Sequence, residues 1–206
     1  PSIYNVPLIL EKENILNTIS KKLNFKQQPS NLKEWKNYID IIQKDNKPKI
    51  EIALVGKYTS LSDSYLSVSE AINHAAAGNL CDTKITYIDS EKLNESNYIS
   101  TLNKFKGILI PGGFGDRGIE GKILASKYAR ENNIPFLGLC LGMHIAIIEF
   151  ARNILKLESA HSTEFDQNTD YPVIDFLPQQ RQIDQKGGTM RLGSYPCIVE
   201  KNTNLF

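Results

Sequence analysis

The chain has 206 residues, 41% of them apolar, which is enough for one domain of ordinary size plus an extension. Its 24 basic and 23 acidic residues leave a formal charge of +1, and the scattered cations form no stripe for nucleic acid or an acidic membrane. Three cysteines far apart (Cys81, Cys140, Cys197) exclude a disulfide framework and fit a reducing cytoplasm, and neither they nor His74, His144 and His161 have metal-site spacing.

The N-terminus lacks the basic segment and apolar core of a signal peptide, and no apolar run reaches the roughly 20 residues that span a bilayer. The first residue is Pro1 rather than Met, as in a piece of a longer chain. Residues 1–49 read as a connector with two short helices rather than an independent core. Apolar residues at Ile15, Leu16, Ile19 and Leu23 predict a helix over Lys12–Leu23. Leu32, Trp35, Ile39 and Ile42 predict a second, capped by Ser30 or Asn31, with Trp35 as an anchor onto a neighbouring surface.

From Lys49 the pattern alternates. Strands are expected at Lys49–Val55, Lys84–Ile88, Gly107–Ile110 and Ile134–Leu139. Between and after them, helices are expected from Ser62 or Asp63 through Ala77, at Leu93–Asn103, at Ile119–Glu131 and at Leu141–Phe150. Strands apolar on both faces, each followed by a helix, predict an α/β fold with a mostly parallel sheet covered on both sides. Beyond Asn153 the pattern changes to short strands and loops covering one edge of the main sheet, with a short apolar stretch at Tyr171–Phe176 and a strand expected at Pro196–Val199.

Two glycine-rich segments fall at carboxyl ends of strands, where such sheets place their active sites. Gly138-Leu139-Cys140-Leu141-Gly142 has the G-x-C-x-G spacing of a nucleophile elbow. A sharp strand-to-helix turn needs residues without side chains two positions either side of the nucleophile. It also sets the thiol at a helix N-terminus, where free N–H groups favour a thiolate and can hold an oxyanion. Pro111–Gly115, Pro-Gly-Gly-Phe-Gly, has neither the ending of a P-loop nor dinucleotide-site spacing. A bare backbone N–H there reads as a second oxyanion donor.

The combination of Pro111–Gly115 with Gly138–Met143 resembles the class I glutamine amidotransferases. More narrowly, Val55–Tyr58, Asp63–Tyr65, Ala129–Pro135, Ser162–Phe165 and Gly187–Gly193 are similar to the CTP synthases, and Ser2–Tyr4 with Leu32–Trp35 resembles the linker between that family's two domains. The resemblance implies a three-layer α/β/α, flavodoxin-like architecture, with residues 1–49 as interdomain linker and 50–206 as a glutaminase domain truncated at its C-terminus.

The implied activity is hydrolysis of L-glutamine, the ammonia being used for ATP-dependent amination of UTP to CTP in the cytoplasm. Cys140 would be the nucleophile. Gly112, Gly113 and Leu141 would line the oxyanion hole, and Leu141, Gly142, Met143, His144 and Glu164 would hold the substrate. No cofactor or metal is expected in this domain. ATP and Mg2+ would belong to a preceding amidoligase domain, and the full-length protein would be a homo-tetramer. The Gly187–Gly193 loop resembles the lid linked in that family to activation by GTP. Two departures stand out. His144 occupies a position where the family has Gln, and an imidazole lacks the amide's pair of bonding groups. The family's His-Pro-Glu segment, its general base and orienter, is absent from the sequence, so the chain as written is expected to hydrolyse glutamine very poorly. The alternative is a catalytically weakened, regulatory amidotransferase-like domain.

Overall fold

The computed structural model describes residues 2–26, 29–59, 61, 63–176, 194 and 196–203. The chain divides into two units, Pro1–Ile52 with Leu61–Thr86, and Ala53–Ser60 with Tyr87–Phe206.

In the first unit the helix expected over Lys12–Leu23 starts at Ile15, and a further helix, not expected from the sequence, precedes it. α1 is Val6–Lys12 and α2 is Ile15–Leu23. Pro7 stands in the first turn of α1, where its missing N–H is no loss. Asn14 breaks the run with a left-handed φ of 55°, a conformation Asn tolerates and apolar spacing does not reveal. α3 is Lys33–Gln43, with Leu32 rather than Ser30 or Asn31 at its N-cap. The Trp35 indole N–H donates to the Tyr4 carbonyl at 2.8 Å, and its ring lies 6.0 Å from that of Tyr4. The Tyr4 hydroxyl donates to Glu70 on α4, Leu66–Gly78. The Glu70 hydrogen bond, burial and the Glu70 charge hold the Tyr4 phenol well above its usual pKa. Lys47 closes the end of α3, donating to Ile41 O at 2.9 Å and Ile42 O at 3.1 Å while pairing with Asp82 at 2.8 Å.

β1, Lys49–Gly56, and β2, Asp82–Asp89, belong to a four-stranded sheet ordered β2-β1-β3-β4, with β3 at Gly107–Ile110 and β4 at Phe136–Gly138. β3 and β4 run parallel, Ile108 opposite Phe136 and Ile110 opposite Gly138. β4 is shorter than the apolar run Ile134–Leu139 because Ile134 N–H closes the preceding helix on Ala129 O and Pro135 has no N–H to give. Last in the sheet order among the described residues, it leaves Leu137 half exposed, against the expectation of a fully buried strand.

Helix α5 covers only Tyr98–Leu102 of the expected Leu93–Asn103. Asn94 and Asn97 bond neighbouring backbone groups and keep the segment before it as a turn. α6, Ile119–Glu131, has the expected limits, and α7, Leu141–Asn153, runs one turn longer. Leu102, Phe105, Ile108, Ile110, Ile145 and Ile148 form the centre of the second unit's core. β5, His161–Ser162, and β6, Pro172–Ile174, make a small parallel pair. Pro196–Val199 is not a strand. The architecture is the mostly parallel sheet flanked by helices that the sequence predicts.

Candidate active site

β4 ends at Gly138, α7 starts at Leu141, and Cys140 caps the helix with φ 53° and ψ −106°. That backbone is strained for any residue with a side chain, as the elbow reading of Gly138–Gly142 requires. The flanking glycines have direct steric reasons. A Cβ on Gly138 would overlap the Gly142 carbonyl, and a Cβ on Gly142 would overlap the Ile110 carbonyl oxygen of β3. The turn is closed by Gly142 N to Leu139 O at 2.9 Å and Met143 N to Cys140 O at 3.0 Å. Cys140 is exposed, whereas Cys81 is buried.

The strap after β3 lies against this elbow. A Cβ on Gly112 would stand 3.4 Å from Cys140 Cβ and 4.0 Å from Sγ, van der Waals distances that place this backbone directly beside the thiol. The Cβ position of Gly113 is 3.7 Å from Leu141 Cδ2 and 3.9 Å from Lys57 Cε. Backbone from two separate segments, Gly112–Gly113 and the first residues of α7, therefore borders one thiol. Lys57 donates to the Phe114 carbonyl, and its ammonium lies 5.2 Å from the Tyr58 ring centre. Arg117 approaches the same ring at 5.9 Å. Lys122, in the first turn of α6, is 2% exposed, and burial with the nearby Lys57 and Arg117 charges, against the opposing Glu91, pushes its amine down to about 8.

His144 donates its backbone N–H to Cys140 O at 3.3 Å and has a half-buried ring. Its Nδ1 is buried with no hydrogen-bond partner among the described residues. Burial lowers its pKa, opposed by the Glu164 carboxylate. Glu164 follows β5, its N–H bonded to Ser162 Oγ at 3.2 Å. Met143 is 46% exposed. The structure thus brings Cys140 together with Gly112, Gly113, Leu141 and Gly142, and His144 within the field of Glu164. The Gly187–Gly193 loop lies outside the described residues. Lys57 has no place in the sequence-derived site. It sits more than fifty residues before the strap, and nothing in a sequence pattern joins its side chain to Phe114. Among the described residues no cluster of three His, Cys, Asp or Glu side chains could hold a metal ion, and no helix is long and apolar enough to cross a membrane.

Residues 60–206 match the family model described as glutamine amidotransferase class-I. The chain belongs to the class I glutamine amidotransferases. This amidotransferase chain is 52% identical over 209 residues to the CTP synthase of Methanocaldococcus jannaschii, a match covering 98% of this chain and 38% of that protein. It is 52% identical over 205 residues to that of Caldanaerobacter subterraneus subsp. tengcongensis, covering all of this chain and 38% of that protein. The chain therefore spans well under half the length of these relatives. A solved structure, the Trypanosoma brucei CTPS glutaminase domain with bound acivicin, superposes with a TM-score of 0.60 at 38% identity, covering 64% of this chain and 52% of that one.

Proposed function

We propose that this chain is the glutaminase part of a CTP synthase, with 1–49 as linker to an amidoligase domain and 50–206 as the amidotransferase domain. The observation that carries the reading is Cys140 in a strained elbow at the start of α7, with Gly112 packed directly beside it. The Cys140 thiolate attacks the δ-carboxamide carbon of L-glutamine. A C–S bond forms and the carbonyl electron pair moves onto oxygen. The backbone N–H groups of Gly113 and Leu141 take that charge, an effect worth about 3–4 kcal/mol per donor in comparable sites. As the pair returns, the C–N bond breaks and nitrogen leaves as ammonia once protonated. Water then cleaves the glutamyl thioester to glutamate. Glu164 suits the α-ammonium group of free glutamine, with Met143, Gly142 and His144 bordering the substrate. In the whole protein the ammonia aminates UTP with ATP and Mg2+, GTP activates through the Gly187–Gly193 region, and the assembly is a cytoplasmic homo-tetramer.

The test is covalent capture in the full-length protein. A chloroketone analogue of glutamine is expected to label Cys140, glutamine is expected to protect it, and Cys140→Ala is expected to abolish both labelling and glutamine-dependent CTP formation while ammonia-dependent formation persists. No labelling, or glutamine-dependent activity surviving in Cys140→Ala, overturns the reading.

A further inference from the structure

We propose that Lys57 is a positioning residue for the oxyanion hole, holding the Pro111–Gly115 strap in register with Cys140 by its bond to the Phe114 carbonyl. The inference rests on the glutaminase reading above and adds a residue to its machinery.

The strap must place a backbone N–H to within a few tenths of an ångström, yet it is poorly equipped to hold itself. Gly112, Gly113 and Gly115 contribute no side chain, and glycine backbone loses more conformational freedom on ordering than any other. Gly115 also takes a left-handed φ of 78°. A tether from outside the strap answers that need, and Lys57 has the geometry of one. It is the first residue after β1, so its backbone starts from a strand with Ala53, Leu54 and Val55 fully buried. Its stem runs along the strap, with Cε 3.9 Å from the Cβ position of Gly113 and Nζ 3.8 Å from that of Gly115. Its ammonium ends on the Phe114 carbonyl between those two glycines and is steadied by the Tyr58 ring at 5.2 Å. Further along the same segment, Lys122 Nζ lies 3.5 Å from the Arg117 carbonyl. Lys57 thus holds a carbonyl within the strap itself, and Lys122 reaches one beyond its end.

Misplacement of about 1 Å at a reacting centre can cost about 100-fold in rate. Lys57→Met keeps the apolar stem and removes the donor, while Lys57→Arg keeps a donor. In the full-length protein with ATP, UTP and GTP present, Lys57→Met is expected to lower kcat for glutamate release about 10- to 100-fold. KM for glutamine is expected to change less than about three-fold, because the tether acts on transition-state charge. Lys57→Arg is expected to recover most of the loss. Alkylation of Cys140 by iodoacetamide puts no charge on a carbonyl oxygen, so its rate is expected to stay at the wild-type value in both variants. Wild-type kcat in Lys57→Met overturns the proposal. So does a parallel collapse of alkylation rate and melting temperature, which would make Lys57 a fold-supporting residue only. If the wild-type protein releases no glutamate, the glutaminase reading itself fails, a result distinct from both.

Discussion

At Gly142 two opposing effects can be weighed. Alanine is the better helix former by about 1 kcal/mol, which favours Gly142→Ala in the first turn of α7. Against this, the new methyl would overlap the Ile110 carbonyl oxygen and stand 3.1 Å from Ile110 Cβ, atoms of a buried strand that cannot swing away. The clash wins, and Gly142→Ala is expected to lower stability by about 2 kcal/mol in urea denaturation. A change under about 0.5 kcal/mol would mean the elbow yields without strain. A second effect concerns His144 and His161. Burial lowers both pKa values, helped at His161 by Arg152 and opposed by Glu120 and Asp166. The unfolded chain then binds protons that the folded chain refuses, so stability falls as pH drops through the ordinary histidine value of about 6.5 and levels off below the lowered native values. Melting temperature is expected to fall between pH 7.5 and 5.5, with a shallower slope in His144→Gln/His161→Asn. An unchanged slope would place the acid sensitivity in other groups. At this scale the elbow was legible because its glycines answer to backbone sterics alone. The Lys57 tether was not, because it joins side chain to backbone across a long stretch of sequence.

Elements were legible where local chemistry and tertiary packing agree. α6 has Gly118 at φ 69° before it and Asn132 after it, and its limits follow from the sequence. α2 does not, since a helical spacing of apolar residues is blind to one left-handed Asn14. The Leu93–Asn103 segment failed for a related reason, Asn side chains outcompeting the helix for the backbone. What sequence spacing also misses is the pairing between elements. Glu149 on α7 is 2% exposed and accepts from Arg130 of α6, Nε at 3.0 Å to both oxygens and Nη2 at 2.7 Å, and from Asn153 Nδ2 at 3.1 Å. Arg130→Ala strands that carboxylate, a loss of about 3–5 kcal/mol for a fully buried pair. The Arg130 side chain is 29% exposed and water can reach the gap, so about 2–3 kcal/mol is expected here. Replacing both partners, as in Arg130→Met/Glu149→Leu, is expected to restore most of it. A double variant as unstable as Arg130→Ala would show that the cost is lost helix packing instead of a stranded charge.

For the molecule as a whole, the two units differ in how much apolar surface each buries. α1 and α2 bury no residue, and Ile9, Leu16 and Ile19 remain about half exposed. The apolar side chains buried in the first unit are chiefly Ile39, Tyr65, Ala76 and Ala77, whereas the second unit buries Leu102, Phe105, Ile108, Leu141, Ile145 and Ile148. Burial of apolar area is the main favourable contribution to folding, so the first unit is expected to open at lower denaturant. The chain supplies its own reporter, since its one tryptophan, Trp35, lies in that unit. Tryptophan fluorescence is expected to change at lower urea than far-UV circular dichroism, which is weighted towards the larger second unit. Trp35 cannot be removed without losing the signal, so the first unit is perturbed at Tyr4 instead. Tyr4→Phe keeps the ring against Trp35 and deletes the hydroxyl bond to Glu70, a loss of about 1–2 kcal/mol that is expected to move the fluorescence midpoint alone. Arg130→Ala is expected to move the circular dichroism midpoint alone. Coincident transitions that shift together in both variants would mean that the chain unfolds as one cooperative body despite the uneven burial.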